Sequence, residues 1–138
     1  MGVCLGLQLL FTESEEFGSS KGLNVLPGVV KRFANSEENG YPVRVPQIAW
    51  NEIYQGSVDW NKTPLRSLSQ NEHMYFVHSF YVQPAETDCI LSLTQYHHKE
   101  YTSAVFKNNI FACQFHPEKS AEKGLSIYRN WAIQNKLI

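Results

Sequence analysis

Three residues of this 138-residue chain could together carry out nucleophilic chemistry: Cys4, His116 and Glu118. Cys4 lies in Gly2-Val3-Cys4-Leu5-Gly6, a G-x-C-x-G sequence with the form of a nucleophile elbow, in which cysteine takes the place of serine. An elbow is a sharp strand-to-helix turn. Its flanking glycines are expected because a Cβ there would clash with the neighbouring strand and helix. The helix N-terminus is expected to favour a thiolate. Gln8 lies four residues on, on the same helical face, and its amide should point back at Cys4. A polar group aimed at a nucleophile suits a small polar substrate.

At the far end, Gln114-Phe115-His116-Pro117-Glu118-Lys119-Ser120 follows an apolar run. A residue before proline is pushed into extended backbone, and extended residues two apart point the same way. His116 and Glu118 should therefore meet as base and orienter, the carboxylate fixing the imidazole tautomer. Each half has a plainer explanation. A cysteine in Val-Cys-Leu is commonly a small buried hydrophobe, and His-Pro-Glu is commonly a solvated turn. The two halves in one chain are far more specific than either.

The elements around them read as a series of strands between a first and a closing helix. Leu7, Leu10 and Phe11 recur at helical spacing after the elbow, with Glu13, Glu15 and Glu16 as a solvated helix end before the breaker Gly18. Val29–Phe33 reads as a strand, residues 35–42 as a loop, and Val43–Trp50 as an edge strand or an extended surface segment, because Pro46 cannot donate to a ladder. Residues 51–70 read as irregular, with a short helical piece near Pro64–Leu68. Met74–Val82 is one dense β-prone run, Cys89–Tyr96 another. Tyr101–Phe106 and Ile110–Gln114 flank Lys107-Asn108-Asn109 as a hairpin. From Ser120, a plausible N-cap, Leu125, Tyr128, Trp131 and Ala132 mark a closing amphipathic helix. One domain over residues 1–138 is expected.

With 12 basic and 13 acidic residues the net charge is −1, which argues against nucleic-acid and acidic-membrane partners. No apolar run approaches 18 residues and no basic n-region precedes the first apolar stretch, so neither a membrane span nor a signal peptide is expected. The three widely spaced cysteines fit reduced thiols in the cytoplasm, with Cys89 and Cys113 in the core. Cys113-x-x-His116 lacks a second close pair of ligands, so no metal is expected. His73 and the adjacent His97 and His98 read as surface, and Tyr75, Phe76, Phe80 and Tyr81 as core.

Gly2–Gln8 together with Phe115–Ser120 resembles the class I, triad-type glutamine amidotransferases. Within them the sequence is most similar to the glutaminase subunits of imidazole glycerol phosphate synthases, over nearly its whole length. Gly22–Gly28 and Val30–Phe33 look like the segment after that family's elbow helix, and Val45–Asn51 like its Pro-x-x-Gly-Trp-Asn stretch. Tyr75–Tyr81 looks like its His-Ser-Tyr strand. The resemblance implies a flavodoxin-like three-layer α/β sandwich without its N-terminal part, since the family has sheet strands and an oxyanion-completing Pro-Gly-x-Gly segment before the elbow. It implies Cys4 as nucleophile on the carboxamide of glutamine, His116 as acid and base, and Glu118 as its orienter. It places Leu5, Gly6, Gln8, His78, Ser79 and Phe80 around the oxyanion and substrate. It makes Pro46, Trp50, Asn51 and Lys119 the interface with a (β/α)8-barrel synthase subunit that takes up the ammonia as a heterodimer. No cofactor is implied.

The sequence departs from the family pattern at Ala49, where glycine is usual, and at His97-His98, where a glycine-containing turn is common. Two other readings of the same triad are a paralogous amidotransferase subunit in surface-sugar biosynthesis and a degenerate, non-catalytic subunit. A cysteine peptidase is a further option, disfavoured by Gln8 and the His78–Phe80 stretch.

Overall fold

The computed structural model describes residues 1–138. In chain order the strands are β1 (Gly2–Val3), β2 (Glu13–Ser14), β3 (Ser20–Lys21), β4 (Gly28–Arg32), β5 (Glu37–Glu38), β6 (Tyr41–Pro42) and β7 (Gln47–Gln55). They continue as β8 (Glu72–His78), β9 (Phe80–Pro84), β10 (Ile90–Tyr96), β11 (Lys99–Lys107) and β12 (Ile110–Cys113). Two α-helices, α1 (Leu5–Gln8) and α2 (Ala121–Gln134), flank the chain. Ten strands form one mixed sheet in the order β3-β2-β4-β9-β11-β10-β7-β8, with β12 branching from β11 and β1 beyond it. β1–β12 and β2–β4 are parallel, and the other pairings in this sheet are antiparallel.

Side-chain alternation along β11 and β12 builds a core on each face of the sheet. Ala104, Phe111 and Cys113 face one way and join Phe76, Phe115 and Ile127 of α2. Val105 and Ala112 face the other way and join Leu7 and Phe11 with Val30 and Val82. The sheet is thus covered by α2 on one side and by α1 with its following turn on the other, the α/β layering expected from the sequence. Cys89 and Cys113 are both buried.

Several local expectations change. The helix after the elbow stops at Gln8 instead of running to the glutamates. The carbonyls of Leu9, Leu10 and Phe11 accept N–H groups from residues 23–26, which end the helical ladder. Leu7 and Phe11 are still fully buried. Residues 35–42 hold the short β5–β6 pair. The strand expected at the sheet edge, β7, begins at Gln47, after a cis Val45–Pro46 bond, and runs on to Gln55, so residues 51–55 are not irregular; it lies between β10 and β8 and is not an edge, Pro46 standing just outside it. The helical piece expected near residues 64–68 appears earlier, as a 3-10 turn at Trp60–Lys62. The run 74–82 is broken at Ser79 into β8 and β9, because the Ser79 carbonyl leaves β8 to accept the Phe33 N–H. His97 has left-handed backbone (φ 50), the conformation a glycine would adopt most readily there.

Candidate active site

β1 delivers Cys4 beside the end of β12. The Cys4 N–H donates to the Cys113 carbonyl at 2.8 Å, continuing the parallel pairing of Val3 with Cys113. Cys4 itself has φ 52 and ψ −107, a conformation that a side chain rarely adopts and that throws its Sγ out of the turn. Such strain costs about 1–3 kcal/mol and persists only where the surroundings impose it.

The two glycines of the elbow differ. A Cβ on Gly2 would lie 2.7 Å from the Gly6 carbonyl oxygen and 3.2 Å from Ala112 Cβ. A Cβ on Gly6 would meet nothing within 4 Å. The close approach expected at both therefore holds only at Gly2, since Gly6 faces open space. Gly2→Ala is expected to destabilise the fold by about 1–3 kcal/mol through overpacking, and Gly6→Ala by no measurable amount. Thermal melts of the two variants, read side by side, check this.

The Cys4 thiol is pushed up by burial, against hydrogen bonds from the Leu5 N–H and Gln114 that act to lower it. Glu118 and Glu16 push it further up. This reverses the expectation of a dipole-stabilised thiolate. Helix α1 is a single turn, and half-burial beside two carboxylates outweighs it. The Cys4 thiol is therefore harder to ionise than an ordinary cysteine.

His116 stands three residues past β12 in extended backbone. Its Nδ1 is 2.6 Å from Glu118 Oε1. Glu118 arrives by a 3-10 turn over Pro117–Lys119, so the pair meets although the chain between them is not extended as expected. A carboxylate can only accept, so Nδ1 is the donor, and in the neutral ring Nε2 keeps its lone pair. Nε2 is buried and without a partner. Burial pushes the Glu118 carboxyl up, but hydrogen bonds from His116, its own N–H and Tyr128 outweigh this and hold it below the usual carboxylate range. The Tyr128 hydroxyl donates to Glu118 Oε2 at 3.1 Å.

Gln8 does not reach Cys4 directly. Its Nε2 donates to the Phe80 carbonyl and to Gln114 Oε1, both at 3.1 Å. Gln114 Nε2 in turn donates to Cys4 Sγ at 3.6 Å. Two carboxamides thus link the nucleophile to the start of β9. His78 is interior: its Nδ1 is 2.7 Å from the Phe80 carbonyl and its Nε2 3.2 Å from the Tyr101 hydroxyl. The Phe80 carbonyl therefore holds Gln8 and His78 together. Beside the elbow lies a cleft whose walls include Leu5, Gln8, Glu16, Phe17 and Lys21. Glu16 is a wall of this cleft rather than the end of a solvated helix.

The expected interface residues fall into two groups. Trp50 and Lys119 meet through Tyr75: the Trp50 and Tyr75 rings are edge-on at 6.1 Å, and Lys119 Nζ lies 5.8 Å from the Tyr75 ring. Trp50 and Ile48 are both exposed on that face of β7, and Pro46 is exposed just before it. Asn51 turns the other way and donates to the Gln95 carbonyl at 2.8 Å.

Gln114, Tyr128, Glu16 and Lys21 were not singled out from sequence. The two-residue spacing of Gln114 from His116 on an extended strand is a signal that could have found the first. Nothing local marks Tyr128, whose partner is set by how α2 packs.

Similarity to known proteins agrees with this geometry. The chain is 44% identical over 134 residues to "Imidazole glycerol phosphate synthase subunit HisH" of Chlorobaculum tepidum, covering 96% of this chain and 62% of that protein. It is 43% identical to the HisH of Syntrophotalea carbinolica and 40% to that of Geobacillus thermodenitrificans, covering 95% of this chain in each case and 62% and 59% of those proteins. The chain thus spans about 60% of the length of the curated relatives it matches. The glutaminase domain of Trypanosoma brucei CTPS, solved with bound acivicin, shares the fold: TM-score 0.56, 19% identity, 96% of this chain and 59% of that one. Residues 1–135 match the family described as Glutamine amidotransferase class-I, and an elbow cysteine beside a strand that ends in a hydrogen-bonded His–Glu pair is in keeping with that match: the chain belongs to the class-I glutamine amidotransferases.

Proposed function

We propose that residues 1–138 form one amidotransferase domain that hydrolyses glutamine to glutamate and ammonia, as the glutaminase subunit of an imidazole glycerol phosphate synthase in histidine biosynthesis. The observation that carries the reading is the His116–Glu118 pair with a free Nε2, just past β12, whose last residue Cys113 accepts the Cys4 N–H. The raised thiol gives its proton to His116 Nε2 as Sγ attacks the carboxamide carbon of glutamine. The carbonyl π electrons move to oxygen, which is met by the Leu5 and Gly6 N–H groups. Collapse of this intermediate breaks the C–N bond, and His116 donates its proton to the departing ammonia. Water, deprotonated by His116, then attacks the thioester and releases glutamate and the thiol.

The cleft suits a free amino acid. Glu16 offers a carboxylate for the α-ammonium group and Lys21 an ammonium for the α-carboxylate, with Gln8, held by the Phe80 carbonyl, at the amide end. A peptide would present neither charge, which favours a glutaminase over a peptidase. The curated relatives are by name subunits of a synthase, which supports a second chain as partner. The exposed face of Pro46, Ile48, Trp50, Tyr75 and Lys119 is the docking side for that (β/α)8-barrel subunit.

A chloroketone analogue of glutamine tests the reading. It should add one label per chain at Cys4 within minutes, glutamine should protect, and Glu16→Gln should weaken that protection about tenfold or more, in line with loss of a charge-assisted hydrogen bond. Labelling that glutamine does not slow would sink the substrate assignment.

A further inference from the structure

Ser120 occupies the residue before α2, where a hydroxyl would ordinarily cap the first turn, yet its side chain makes no such bond. Its Oγ instead donates to the His116 carbonyl at 2.6 Å and accepts the Tyr75 N–H at 3.0 Å. The His116 N–H in turn donates to the Tyr75 carbonyl at 2.9 Å. These three bonds close a ring in which both ends of the His116 residue are referred to Tyr75 of β8. The ring is shut away from water, Ser120 being 1% exposed. The helix is drawn down on it: a Cβ on Gly124 would lie 2.6 Å from Ser120 Cβ and 2.1 Å from the Pro117 carbonyl oxygen.

We infer that Ser120 is a positioning residue for His116, its hydroxyl fixing the imidazole-bearing backbone against β8 so that Nε2 is held toward the nucleophile. This rests on the reading of Cys4 and His116 as nucleophile and base. The hydroxyl has been diverted from the one bond its place in the helix offers, and α2 is left with its first turn uncapped. A purely stabilising serine there would cap. Glu118 can turn the ring only about its own attachment. The height of that attachment is set by the His116 carbonyl and N–H.

The test compares Ser120→Ala, Ser120→Thr and His116→Ala in the full chain by two readouts. The first is glutamine hydrolysis; the second is the rate of Cys4 alkylation by iodoacetamide at neutral pH, which needs no turnover and which Cys89 and Cys113, being buried, do not obscure. Ser120→Ala is expected to lower kcat about tenfold or more with KM within about twofold, and to slow alkylation toward the His116→Ala rate; Ser120→Thr is expected to stay near the parent. Should Ser120→Ala fail to fold, the isosteric pair Ser120→Thr and Ser120→Val isolates the hydroxyl by the same readouts. A lower melting temperature with kcat and alkylation unchanged overturns the inference, leaving Ser120 a structural residue. If His116→Ala alkylates as fast as the parent, the nucleophile–base reading falls and this inference with it. If His116→Ala slows alkylation and Ser120→Ala does not, this inference alone falls.

Discussion

Replacing Cys4 with alanine is expected to reduce glutamine hydrolysis to background, and replacing His116 with alanine to lower kcat by about 10²–10⁴. The second figure is large because the thiol is harder to ionise than an ordinary cysteine. Burial and the charges of Glu118 and Glu16 hold it up, and in the proposed mechanism His116 is the group that takes its proton. Glu118→Gln should cost less than His116→Ala. It leaves the imidazole in place but replaces an acceptor-only carboxylate with an amide that can also donate to Nδ1, so in part of the population Nε2 carries the proton instead of a lone pair. A coupled assay of glutamate release on the three variants checks the order. Activity of His116→Ala within tenfold of the parent would show that some other base serves the thiol.

The second large effect is on stability. Burial pushes His78 down to about 4, with the neighbouring His116 acting the same way and the bond to the Phe80 carbonyl acting against both. The folded state thus disfavours the imidazolium that the unfolded chain accepts at its usual value near 6.5. Between those two values the unfolded state binds more protons, so stability is present above about 6.5 and is lost as the pH falls toward 4. A shift of this size corresponds to roughly 3 kcal/mol from one side chain. Urea titrations at pH 7 and pH 4.5 measure it, with His78→Gln as the control that cannot titrate. Equal pH dependence in the two proteins would mean that the ring is hydrated when charged.

Much of the sheet was legible because its strands are built from local pattern. Val29–Phe33, Cys89–Tyr96 and the hairpin around Asn108 all stand within a few residues of where alternation and β-branching put them. The errors share a cause. Leu7, Leu10 and Phe11 have a helical period whether or not the helix continues, and it stops because N–H groups from residues 23–26 claim the next carbonyls. β8 and β9 are uniformly β-prone, and only the bond from Phe33 to the Ser79 carbonyl separates them. In the site, the His-Pro-Glu spacing predicted a pair that forms, though by a tight turn. Gly2 and Gly6 look equivalent in sequence and differ only in what surrounds them. The thiol was misjudged for the same reason, since it is pushed up by burial first and then by Glu118 and Glu16, none of which is adjacent in the chain.

The two-residue ladder between β1 and β12 has a kinetic consequence. It joins residue 3 to residue 113, whereas β10, β11 and β12 are linked by turns of a few residues. Loop-closure entropy grows with the length closed, so the hairpins form first and the elbow docks onto a finished strand. His116, Glu118 and Gln114 belong to the part that forms early, and Cys4 to the part that arrives last. During refolding, the recovery of strand signal should therefore run ahead of the recovery of a reactive thiol.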